Sequence, residues 1–169
     1  ALKFIEGVPF FFNDEITECL RENPSAVLLI KSDSRNSLGE GRAIIHSLTR
    51  AEVKNPVIFC KAYDFDADQK EDFEIASAAD LSNLLFDRLI DGICVFENHE
   101  EKNNKIPQKD VLSIEFSILQ AVRQRITKTD YLSCPGCGRT LYHLQETIAR
   151  VKAATPGLQS LKIGTTSCI

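Results

Sequence analysis

Three short, mainly apolar runs constrain this chain more than any other feature. They are AVLLIK (26–31), VIFCKA (57–62) and GICVF (92–96). Each is too short for a typical helix, and none alternates polar with apolar residues as a half-solvated strand would. Mainly apolar runs of this length read as strands buried within a parallel sheet. The stretches between them carry helical spacing. Residues 38–52 place Leu38, Ile44, Ile45 and Leu48 roughly on one face, and residues 67–90 carry a long helical pattern with Phe73, Ile75, Leu81, Leu84, Leu85 and Leu89. Strands alternating with helices predict an α/β architecture with a largely parallel sheet covered on both faces.

Beyond residue 97 the pattern changes. Residues 98–109 are polar and charged and read as a loop or linker. Residues 110–125 form a helical pattern with Asp110 as its N-cap. DYLS (130–133) is a short strand, 140–154 an amphipathic helix through Leu141, Leu144, Ile148 and Val151, and SLKI (160–163) a last strand. Pro156-Gly157 ends the helix. The organisation expected is one α/β domain over residues 1–125 and the start of a second over 126–169. A hydrophobic content of 43% is enough to fill a core. A net charge of −4 without a basic stripe argues against a nucleic-acid partner. No apolar run has membrane-spanning length, and the opening ALKFIEGVPF lacks the parts of a signal peptide, so a cytoplasmic protein is expected. The chain has no Met and stops at Ile169, one residue after a cysteine; both suggest a segment of a longer protein.

The cysteines carry the chemistry. There are six: Cys19, Cys60, Cys94, Cys134, Cys137 and Cys168. Without a secretion signal, clustered thiols point to metal or redox chemistry rather than a disulfide framework. Cys134 and Cys137 flank a Pro-Gly pair, whose tight turn lets two thiolates grip one metal centre. The helix expected from residue 140 adds the partial positive charge of its N-terminus, and Arg139 a full one; both favour thiolate. A zinc ribbon needs a second such pair, and none follows. His143 falls in the helical run and reads as a solvated or partner-facing side chain; as a zinc ligand it would have to be turned back toward the cysteines. Cys134, Cys137 and Cys168 together suit a cuboidal iron–sulfur cluster, whose ligands need not be local in sequence, with one iron corner left for another ligand. A structural zinc knuckle at Cys134 and Cys137, in a non-catalytic binding module, stays open beside it.

Other features have blander readings. Cys60 and Cys94 lie within apolar strands and are expected in the core. Cys19 sits in a polar helical segment with no evident role. Gly39-x-Gly41 matches no phosphate loop and reads as a turn before a helix. The acidic group Asp64, Asp66, Asp68, Glu71 and Asp72 lacks the glycine and final glutamate of a calcium loop and reads as a solvated helix start. Phe10-Phe11-Phe12 is expected to pack in a core or against another part of the protein.

The stretch ITKTDYLSCPGCGRTLYHLQE (126–146), an amphipathic helix, LKI and the closing Ser-Cys-Ile together resemble the 4-hydroxy-3-methylbut-2-enyl diphosphate synthase family. The likeness covers residues 119–169 and is to the long, plant-type form, which carries an extra domain between an N-terminal barrel and a C-terminal iron–sulfur domain. By position, residues 1–125 correspond to the extra domain, as a spacer or docking surface. The resemblance implies a [4Fe-4S] cluster held by Cys134, Cys137 and Cys168 and by a glutamate in a Val-Asn-Gly-Pro-Gly-Glu run following the Cys-Ile pair, past Ile169. It also implies a two-electron reductive ring opening of a cyclic diphosphate, 2-C-methyl-D-erythritol 2,4-cyclodiphosphate, in non-mevalonate isoprenoid biosynthesis. The electron donor would be ferredoxin or flavodoxin. The barrel that binds substrate would lie outside these 169 residues, so the chain alone is expected to be inactive. One local departure is Thr166-Ser167, where the family has Met-Gly.

Overall fold

The structure, a computed structural model, describes residues 14–32, 34–97, 105–134, 136, 142–158 and 161–165. The chain divides into two compact units, residues 1–122 and 123–169. The first contains α1 (Asp14–Glu22), β1 (Leu28–Ser32), α2 (Ser37–Arg50), β2 (Val57–Tyr63), α3 (Lys70–Phe86), β3 (Gly92–Glu97) and α4 (Gln108–Ala121). The second contains β4 (Asp130–Ser133), α5 (Leu144–Ala154) and β5 (Lys162–Thr165). Among the described residues no helix is long and apolar enough to cross a membrane.

In the first unit the three apolar runs pair as a parallel sheet in the order β1-β2-β3. The α/β reading is thus what the structure has. Leu28 sits beside Val57, and Phe59 beside Ile93. Phe59, Leu81 and Leu84 are fully buried, at 0% exposure. Gly41 of α2 shows how closely the layers approach. A Cβ there would lie 2.9 Å from Phe59 Cε2 and 3.1 Å from Leu84 Cδ1. Gly39 and Gly41 are therefore inside α2, not in a turn before it. The helix is capped instead by Asn36, whose Oδ1 accepts the Gly39 N–H at 3.1 Å.

Burial of the sheet is uneven. Val57, Phe59, Tyr63 and Val95 are buried on one face; on the other, Cys60 is buried at 3% exposure, Ile58, Ala62, Cys94 and Phe96 are half-buried and Lys31 is exposed. The strand order supplies the reason. Sequential parallel strands joined by crossovers of one hand put successive helices on one side, and α2 packs against α3 as α3 does against α4.

Asp110 is not the cap of α4. Pro107 occupies that position at φ −55°, and its carbonyl accepts the N–H groups of Asp110 at 2.7 Å and Val111 at 3.2 Å. Proline serves there because its φ is already helical and the N–H it lacks would go unused. Asp110 instead pairs with Lys70 Nζ at 3.1 Å, tying the first turns of α3 and α4 together. The acidic stretch before α3 behaves as a helix start. Asp66 and Gln69 form a reciprocal capping box, and Glu71 and Asp72 fall in the first turn of α3.

The second unit is a single strand–helix–strand crossover. β4 and β5 pair in parallel, Tyr131 beside Ile163 and Ser133 beside Thr165. Tyr131 ties the helix end to the sheet. Its hydroxyl lies 2.7 Å from Thr155 Oγ1, and Lys152 Nζ sits 5.4 Å from its ring centroid. No residue of α5 is fully buried, and Leu132 and Leu161 are exposed. Phe10-Phe11-Phe12 lie outside the described residues.

Candidate metal centre

Parallel pairing decides what the second unit can do. Because β4 and β5 run the same way, both carboxyl ends finish at one edge. Cys134 follows β4 directly and donates its backbone N–H to the Thr165 carbonyl at 3.0 Å. Thr165 is the last residue of β5, and Cys168 lies three positions further along. Three residues of chain reach at most about 10 Å, and paired strands stand about 4.8 Å apart. Cys134 is half-buried and makes no disulfide. Cys137 and Cys168 lie outside the described residues. Between Cys134 and Cys137, Gly136 adopts φ +82°, the left-handed value that a type II turn demands at its third position.

One polar atom near this edge is orphaned. Thr165 Oγ1 is buried and has no hydrogen-bond partner. Such a hydroxyl costs on the order of 1–3 kcal/mol. In register with Ser133, the Thr165 side chain shares that residue's face of the sheet, and Cys134 is one position further along.

Two expectations about this loop are corrected. The helix opens at Leu144, not at residue 140, so its free N–H groups belong to residues later than assumed. His143 is not within the helix. It stands exposed at the N-cap position, where its backbone carbonyl accepts from Thr147 N and Thr147 Oγ1, each at 3.0 Å. Among the described residues no group of three or more His, Cys, Asp or Glu side chains could hold a metal ion.

The first unit holds two polar clusters that sequence reasoning missed. In one, Lys61 Nζ donates to Asp80 Oδ2 at 2.6 Å and to Ser37 Oγ at 2.8 Å, and Tyr63 OH donates to the same Asp80 oxygen at 2.9 Å. Burial and the Asp80 acceptor raise the Tyr63 pKa above its ordinary value. The groups satisfy one another, which marks a structural tie between β2, α2 and α3. A lysine inside an otherwise apolar strand was the signal available. In the other cluster, Cys60 and Cys94 are register partners on neighbouring strands, with Glu115 of α4 close by. Burial pushes the Cys60 pKa up to about 12, with Cys94 and Glu115 adding to the rise. Burial also raises Cys94 and Glu115, although Glu115 Oε1 accepts the Val95 N–H at 2.6 Å. Protonated thiols of this kind are inert. Cys60 is a core residue at 3% exposure, as the sequence reading holds, whereas Cys94 is only half-buried.

No family profile matches the chain. Curated relatives do. Over 168 residues, 99% of the chain, it is 45% identical to 4-hydroxy-3-methylbut-2-en-1-yl diphosphate synthase (flavodoxin) of Bacteroides thetaiotaomicron. The chain matches a segment of this synthase. The synthase of the same name from Phocaeicola vulgatus is 43% identical over 170 residues, and that of Leptospira interrogans 34% identical over 143 residues, 84% of the chain. The chain spans 26% of the length of the first two synthases and 20% of the third. The likeness therefore extends well beyond the cysteine stretch, through the whole parallel-sheet unit.

Proposed function

We propose that residues 126–169 form the leading part of the iron–sulfur domain of a reductive synthase, and residues 1–125 its inserted domain. Cys134, Cys137 and Cys168 supply three thiolates to a [4Fe-4S] cluster, and a glutamate beyond Ile169 supplies the fourth ligand. The observation that carries this reading is the bond from Cys134 N–H to the Thr165 carbonyl, which seats the first thiol beside the strand leading to the third. When bound, such a cluster supplies low-potential electrons. The reaction of the whole protein is the two-electron reductive opening of 2-C-methyl-D-erythritol 2,4-cyclodiphosphate to 4-hydroxy-3-methylbut-2-enyl diphosphate. Flavodoxin is the electron donor favoured by the relatives' name, with ferredoxin the other candidate. This chain's own task is to fix three ligands at one sheet edge; substrate binding belongs mostly to other parts of the protein. Residues 1–125 serve as a spacer or docking domain, a role supported by the mutual pairing of the Lys61–Asp80–Tyr63 group.

The test is metal and sulfide analysis of the full-length protein purified without oxygen. A brown protein with about four irons and matching acid-labile sulfide is expected, with loss of most of both in Cys134→Ser. Stoichiometric zinc in a colourless full-length protein would sink the proposal and favour the zinc knuckle. The isolated 169-residue chain is expected to show no turnover, and measurable turnover by it would count against this division of labour.

A further inference from the structure

We propose that Cys60 and Cys94 form a two-coordinate site for a soft monovalent cation, Cu(I) in kind, on the sheet face turned away from α2 and α3. This is independent of the cluster reading above. The register sets the two residues side by side on β2 and β3, and adds Lys31 of β1 as the other neighbour of Cys60. Strand alternation turns all three side chains to one face, opposite the Phe59 ring that meets α2. Neighbouring strands stand about 4.8 Å apart. Metal–thiolate bonds of about 2.3 Å put the sulfurs of a linear S–metal–S unit about 4.6 Å apart, so side-chain rotation alone admits the ion. The two thiols share a hydrogen bond and form no disulfide. Donor count selects the ion. Structural zinc takes four ligands, and among the described residues no third His, Cys, Asp or Glu completes a metal-holding group. Glu115, the nearby carboxylate, is engaged by the Val95 N–H at 2.6 Å. Two soft thiolates alone suit Cu(I). The bound unit carries a net charge of −1, and Lys31 supplies a positive charge in the same row. Cys60 is enclosed, while half-buried Cys94 gives the ion a way in. Burial keeps both thiols protonated and so poor nucleophiles. On binding, two S–H bonds break, two S–Cu bonds form and both protons leave to solvent; no electron is transferred.

The experiment supplies Cu(I), buffered by bathocuproine disulfonate, to the full-length protein purified without oxygen. Cys94→Ala removes the donor at the half-buried position, Cys60→Ser breaks the pair from the other strand, and Cys19→Ala on α1 is the control. Wild type and Cys19→Ala are expected to take up one copper more per chain than Cys94→Ala or Cys60→Ser, at equal iron content. The X-ray absorption of that extra copper is expected to show two sulfur neighbours. Copper is expected to raise the Tm of wild type more than that of Cys94→Ala, whose copper-free melt shows that it folds. No copper uptake by wild type, uptake undiminished in Cys94→Ala, or three or more sulfurs about the extra copper overturns the proposal. Iron content tests the cluster reading separately, so the two can fail independently.

Discussion

Cys60 holds its proton far into alkaline solution, since burial beside Cys94 and Glu115 pushes its pKa up to about 12 from an ordinary 9.0. Two outcomes follow. Iodoacetamide at pH 8 is expected to leave Cys60 unmodified in the folded protein, and its labelling rate should keep rising toward pH 12; mass spectrometry of the peptide reads both. The sign of the stability effect is fixed by linkage. Above pH 9 the unfolded chain releases this proton and the folded chain keeps it, so stability present below pH 9 is lost as pH climbs toward 12. Urea midpoints are expected to fall more steeply over that interval in wild type than in Cys60→Ala. Gly41 offers a test of packing. Alanine there would gain about 1 kcal/mol of helix propensity, but its Cβ would press on Phe59 and Leu84, at a cost of about 1–3 kcal/mol. The expected net is a lower urea midpoint for Gly41→Ala. The helical spacing over 38–52 already spanned Gly39 and Gly41, but their resemblance to turn chemistry obscured it, and the need for a bare Cα at 41 arises only from a ring on another strand.

Helix ends in the first unit use an arrangement that residue identity conceals. Glu52 and Arg88 adopt φ 56° and 53°, the left-handed region, just past α2 and α3. Each is followed by a residue whose N–H reaches back: Val53 to the Leu48 carbonyl and Leu89 to the Leu84 carbonyl, both at 3.0 Å. This is the Schellman geometry, normally served by glycine. Arg88→Gly and Glu52→Gly are each expected to stabilise the fold by about 1 kcal/mol, since side chains strain that region; denaturant melts of the single variants read the change. A loss of stability would mean that the Arg88 or Glu52 side chain contributes more than its backbone strain costs. The three apolar runs made β1, β2 and β3 legible to within two residues, because burial on a parallel sheet leaves no other use for such stretches. The ends of α2 were legible to the same margin, whereas the C-terminal ends of α3 and α4, at Phe86 and Ala121, were overshot because no glycine or proline follows them directly, and the cap of α4 was misplaced because an aspartate outranked a proline as a helix signal.

The two units differ in how well they are filled. The first has a contiguous buried core from Leu20 to Ile118, whereas the second has two short paired strands under a helix with no fully buried residue. Two-stranded sheets are marginal alone. Amide hydrogen exchange on the cluster-free 169-residue chain is therefore expected to show β4, α5 and β5 exchanging well before β1, β2 and β3, and equal protection in both units would contradict this. The donor set proposed above is an inference from cysteine spacing, whereas the bond joining Cys134 to Thr165 was not legible in the sequence, since it depends on two strands meeting in parallel across a crossover. That pairing also orders events in time. Two antiparallel strands can close as soon as a short loop is made, but a parallel partner arrives only after the crossover is complete. Cys168 follows Cys137 by 31 residues. At about 5–20 residues per second, the last thiol leaves the ribosome roughly 2–6 s after the first pair. Until then the growing chain presents only two of the three thiols proposed as ligands, so the segment after β5 sets the earliest moment at which the proposed set can be completed.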